Sequence, residues 1–164
     1  MKRLFVIGLS LVFALALAGP AAAMKVTNVY GGYYPLNGDR YQTASSVRIF
    51  KLEAQFDSRG LTELHYRIIP EKGTVQVMDV QVLSGKKVKY KLSDTRTLGD
   101  SLHLLEGIGG HQQYERRQFF PEPVEGFDYH SGKIKFVFSA EGRMFEVVWT
   151  MLDNSVMVQD YETE

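Results

Sequence analysis

The sequence predicts an all-β protein, a single domain of antiparallel sheets packed face to face as a β-sandwich, with a small closed β-barrel as the alternative. Three observations predict it. Apolar residues recur at every second position in several runs, and helical spacing is nowhere sustained. Turn residues separate these runs at hairpin distance. Two turns near the C-terminus also put the same residues of the strand between them on one face, an agreement of independent signals. The strands of a membrane-spanning barrel carry uniform apolar bands of about ten residues. Here Val156 and Val158 are followed on the same face by Asp160.

The elements follow in order. Lys2 and Arg3 precede an apolar stretch from Leu4 to Ala18, and Ala21-Ala22-Ala23 offers small residues to signal peptidase. This is the order of a secretory signal peptide, so residues 1–23 are read as a leader cleaved after Ala23 and residues 24–164 as the domain. The apolar core, roughly fifteen residues broken by Gly8 and Ser10, falls short of the about twenty that a helix needs to span a bilayer. No later segment is long and apolar enough to form a transmembrane helix after cleavage.

Residues 24–46 read as an irregular N-terminal segment rich in Tyr and Gly, in which only Lys25 to Tyr30 resembles a strand. Residues 47–92 read as a first meander. Phe50, Leu52, Ala54 and Phe56 alternate with Lys51, Glu53 and Gln55, and Leu64, Tyr66 and Ile68 with Glu63, His65 and Arg67. The run from Thr74 to Leu83 changes phase, which a β-bulge near Val77-Met78 accommodates. Around Ser84-Gly85, an odd-length loop opposes Val82 to Val88, Val80 to Tyr90 and Met78 to Leu92, matching apolar to apolar. Residues 93–132 lose the alternation and read as a loop-rich crossover between sheets.

Residues 133–161 form the second meander. A two-residue turn at Glu141-Gly142 pairs Phe138 with Phe145, Phe136 with Val147 and Ile134 with Trp149. A turn at Asp153-Asn154 pairs Met151 with Val156 and Trp149 with Val158. Neighbours on both sides of Trp149 predict its deep burial.

Composition narrows the function. The chain has no cysteine, which removes disulfides, thiolate chemistry and a lipid anchor on a terminal cysteine. Together with the leader this points to a bacterial periplasmic or secreted protein. Of 19 basic side chains, Lys2 and Arg3 lie in the leader, leaving 17 against 19 acidic ones and a net charge of −2. Such a balance exerts no global pull on nucleic acid.

Several groups of residues bear on chemistry. His103, His111 and His130, with Glu106 or Asp128, match no metal-ligand spacing, so no metal or other cofactor is expected. Gly107-Ile108-Gly109-Gly110 lacks the strand–helix frame of a phosphate loop and reads as a tight turn. Glu122, Glu125 and Asp128 lie in a stretch where solvation is the default, so no catalytic residue is assigned. Lys87, Lys89 and Lys91 read as one strand face that stays in water. The recognition-type stretch is 114–129, read as a loop whose contact residues are Tyr114, Arg116, Arg117, Phe119, Phe120, Phe127 and Tyr129. Aromatic and Arg side chains dominate binding hot spots because they bury much area with few rotamers. The expectation is an exported, non-enzymatic binding or assembly module of the cell envelope, its partner another envelope protein or a surface polymer. A small-ligand carrier with Phe136, Phe138, Trp149 and Tyr90 lining a barrel cavity is the second reading, and an enzyme with an unfamiliar site the third.

Overall fold

The computed structural model describes residues 23–28, 32–98 and 114–162, and these contain ten strands and no helix. The strands are β1 (Met24–Asn28), β2 (Gly32–Pro35), β3 (Ser46–Asp57), β4 (Gly60–Lys72), β5 (Val75–Ser84), β6 (Lys87–Leu98), β7 (Tyr114–Val124), β8 (Gly132–Ala140), β9 (Arg143–Thr150) and β10 (Ser155–Asp160). They form two antiparallel sheets. One runs β1-β3-β4-β7, with β2 also paired to β3, and the other runs β10-β9-β8-β5-β6. Residues 1–22, His103, His111, Glu106 and the glycine run 107–110 lie outside the described residues.

Each sheet hides one apolar face, and the two hidden faces meet. Leu52, Ala54, Leu64, Tyr66 and Ile68 of the first sheet and Val80, Val82, Phe136, Phe138, Phe145, Val147 and Trp149 of the second are all buried in one cluster. The Tyr66 ring meets Phe136 edge-on at 5.1 Å across the two layers, a favourable aromatic geometry. The sheets do not close on each other, so the fold is a sandwich and the barrel alternative does not hold. On one flank β6 and β7 touch through side chains without a shared ladder, the Tyr90 ring edge-on to Phe120 at 5.2 Å. On the opposite flank the segment after β2 reaches β10, where Asp160 accepts the Arg40 backbone N–H at 2.8 Å.

The register agrees with the sequence reading where a turn and an apolar pattern coincide. Phe138 faces Phe145, Phe136 faces Val147 and Ile134 faces Trp149. The turn between them has φ of 52° at Glu141 and 74° at Gly142, the paired positive values of a type I′ hairpin. Met78 is the extra residue that β5 carries against β8, between Val77↔Phe138 and Asp79↔Val137. Val75 and Val77 on one side of it and Val80 and Val82 on the other are consequently all buried.

Other registers differ. Trp149 faces Val156 rather than Val158, and Met151 belongs to a four-residue loop, with Ser155 opposite Thr150. A shift of two leaves every side chain on its expected face, so Trp149 is fully buried all the same. The β5–β6 hairpin turns on two residues, Gly85-Lys86, with Ser84 opposite Lys87. A bulge at Lys89 then restores the apolar match, setting Val82 against Tyr90 and Val80 against Leu92. The same bulge divides the expected lysine face: Lys91 lies opposite Gln81 and pairs with Asp79 at 3.1 Å. In β3 the alternation breaks at Phe50, the extra residue between Ile49↔Ile68 and Lys51↔Arg67.

The strand read near Lys25 to Tyr30 is β1, and the segments read as irregular carry further strands: β2 joins β1 along one edge of β3, β6 continues to Leu98, and β7 occupies 114–124. Edge strands escape pattern reading because only one side of their ladder is paired and polar residues occupy both of their faces.

Candidate functional site

The stretch read as a recognition loop is therefore chiefly a strand, the outermost of its sheet among the described residues. β7 pairs with β4 from Tyr114↔Ile68 to Phe119↔Glu63, after which the ladder breaks until Leu61↔Val124. Pro121 and Pro123 sit in the break, and each lacks the N–H that a ladder needs. The register fixes where each candidate projects. Arg116 and Gln118 lie opposite the core residues Tyr66 and Leu64, and Glu115, Arg117 and Phe119 lie on the outward face opposite Arg67, His65 and Glu63.

The seven candidates separate accordingly. Phe120 and Phe127 are buried in the core, Phe127 edge-on to Phe56 at 5.5 Å, so neither forms a contact surface. Tyr129 is half-buried against the core, and its hydroxyl donates to the Leu152 carbonyl at 2.9 Å. Tyr114 opens the strand. Arg116 donates to the Gln118 side chain at 3.0 Å along the strand. Arg117 and Phe119 remain together in the open. Phe119 is 56% exposed, the second most exposed large apolar residue among those described, and the Arg117 guanidinium lies 5.0 Å from its ring centroid. An Arg over an aromatic face is attracted by the ring quadrupole and held ready with fewer rotamers to lose.

Beneath this pair the sheet carries a network that sequence reading did not assemble. Arg117 Nε donates to Glu63 Oε1 at 2.5 Å, and this bond raises the guanidinium pKa further. His65 Nε2 lies 2.6 Å from Glu115 Oε1, and Arg67 donates to Glu115 Oε2 at 3.2 Å. These two bonds, His65 first, hold the Glu115 carboxyl below the usual carboxylate range. Next to His65, Glu53 receives Lys25 at 2.8 Å and lies 3.8 Å from Lys51. Glu63, His65 and Arg67 were visible as the polar half of an alternation. Their partners on β7 emerge only from the cross-strand register.

Of the other constellations, the acidic one lies wholly within the described residues. Glu122, Glu125 and Asp128 are all exposed. Asp128 serves its own turn, accepting the Ser131 and His130 backbone N–H groups at 2.8 Å, and the Ser131 bond is the largest cause of its lowered pKa. On the outer face of the second sheet a depression of about 350 Å³ includes Gln81, Lys135 and Glu146 in its lining. Lys135 and Glu146 already neutralise each other there at 3.1 Å. Among the described residues no group of three or more His, Asp or Glu is placed to hold a metal ion. Comparison with protein-family models, curated proteins and solved structures finds no match to this chain.

Proposed function

We propose that the protein is an exported, non-enzymatic binding or assembly module of the cell envelope, and that it meets its partner on the outward face of β7. The observation that carries this reading is Phe119. An aromatic side chain more than half in water beside a stacked arginine has the make-up of a binding hot spot, in which aromatic and Arg side chains dominate. The scaffold behind it is rigid: β4 lies between β3 and β7, and Leu64, Tyr66 and Ile68 anchor β4 in the core. Export is supported by the leader pattern in residues 1–23.

A photo-crosslinking residue at position 119, with Met157 on β10 as the exposed control, tests the contact in intact cells. Position 119 is expected to yield a discrete adduct that position 157 does not. Equal labelling from both positions, or none from 119, overturns the reading. N-terminal sequencing of the same purified protein is expected to begin at Met24, and an unprocessed Met1 would overturn the leader.

A further inference from the structure

We infer that the outer edge of β7 takes up an extended acidic segment of another protein as an added strand. The inference rests on the contact surface proposed above and names the chemistry of its partner. From Tyr114 to Phe119 the ladder with β4 is unbroken, and among the described residues no strand pairs the other edge of β7. An unpaired edge presents a row of backbone donors and acceptors, which is the template for strand addition. Pro121 and Pro123 end that template by removing N–H groups, so the added strand spans the half of β7 before them.

Charge selects what the edge accepts. A second copy of this strand, laid antiparallel and centred on 114–119, would set Arg116 directly opposite Arg117. Like charges in directly opposed positions destabilise a pair of strands, so this centred register with a second copy is disfavoured. At Arg117 the outward face is layered, the Arg117 side chain 57% exposed over Glu63 at 8%, whereas Glu115 at 45% stands as open as its partner Arg67 at 38%. Glu115 is the one well-exposed carboxylate of β7's ordered half, and His65 and Arg67 already engage it. An incoming strand therefore meets Arg117 with an acid and, two residues along on the same face, Phe119 with an apolar side chain.

Three synthetic octapeptides test this against the chain as cells process it. The first alternates Glu with Val and Thr, the second has the same sequence with alternate backbone amides N-methylated, and the third has Lys in place of Glu. Hydrogen exchange read by NMR is expected to show the acidic peptide slowing alternate amides within 114–119 by about tenfold or more, as strand addition does. Its affinity should fall as salt rises. The N-methylated peptide should bind at least about tenfold more weakly, because the backbone bonds are lost, and the Lys peptide should give no protection. Equal binding of the methylated peptide, protection at β6 or β10 instead of β7, or no binding of the acidic peptide each overturns the inference. A discrete adduct at position 119 in cells, alongside any of these results, leaves the proposed contact standing and removes only the strand-addition chemistry.

Discussion

At the residue scale the best-defined pair is Trp149 and Asn154. The indole is fully buried, and its N–H donates to Asn154 Oδ1 at 2.6 Å. A buried donor left without an acceptor costs about 1–3 kcal/mol. Asn154 also holds φ at 50°, which Asn tolerates and Ala does not. The two roles can be separated. Asn154→Gly keeps the backbone conformation and loses the bond, whereas Asn154→Ala loses both. Urea denaturation is expected to rank wild type above Asn154→Gly and Asn154→Gly above Asn154→Ala. Equal midpoints for the two variants would show that the backbone conformation contributes nothing. Burial of Trp149 was legible in the sequence because a slip of two residues preserves its face. Its hydrogen-bond partner was not, since Asn154 becomes an acceptor only once the four-residue loop brings it back over the strand.

At the scale of elements, the turns that were legible are those where glycine and strand patterning agree, and Glu141-Gly142 is the clearest case. Bulges at Phe50 and Lys89 were hidden because the apolar alternation reads on without a break past each of them, through Phe50, Leu52 and Ala54 and through Val88, Tyr90 and Leu92. β7 was hidden for a different reason. Its core-side positions carry Arg116 and Gln118, so no alternation marks it as a strand, although its aromatic and basic content did mark it for recognition. The turns themselves differ in what they tolerate. Gly142 has φ of 74° with open space around it, so Gly142→Ala adds backbone strain alone, about 1–2 kcal/mol. At Gly60 φ is 139°, and a Cβ there would overlap the Val124 carbonyl oxygen, where β4 and β7 meet again. Gly60→Ala should therefore cost clearly more than Gly142→Ala in thermal or urea melts. It should also loosen amide protection at Val124, a change that Gly142→Ala leaves absent.

For the whole molecule, the two-sheet arrangement followed from amphipathic strands that must bury one face, while the order of strands did not. Sequence gives no local cue that β8 pairs with β5 across the excursion through β7. The charged outer faces set the response to acid. Glu53 is pushed up by burial, but the Lys25 hydrogen bond and the charges of Lys25, Lys51 and His65 outweigh this and lower it. Glu115, Asp57, Asp128 and Asp153 are lowered as well. A carboxyl whose pKa falls on folding stabilises the native state above its unfolded value, near 4, and loses that contribution as pH drops through the folded value. The urea midpoint is expected to hold from neutral pH to about pH 5 and then decline. Glu53→Gln should lower the midpoint at neutral pH and flatten part of the acid decline. An unchanged slope would remove Glu53 from the account.

The pairing of β5 with β8 also has a consequence in time. A chain made from its N-terminus forms the β5–β6 hairpin early, yet no β5 partner in β8 precedes Gly132. Until that point β5, with Val75, Val77, Val80, Val82 and Leu83, stands as a valine-rich open edge. Distant pairing of this kind slows folding, and an unpaired strand rich in β-branched residues is a site where nascent chains cross-associate. The native molecule places β5 second from the edge of its sheet, where it never meets another chain. Its period of hazard is confined to the interval between the synthesis of the hairpin and the arrival of β8.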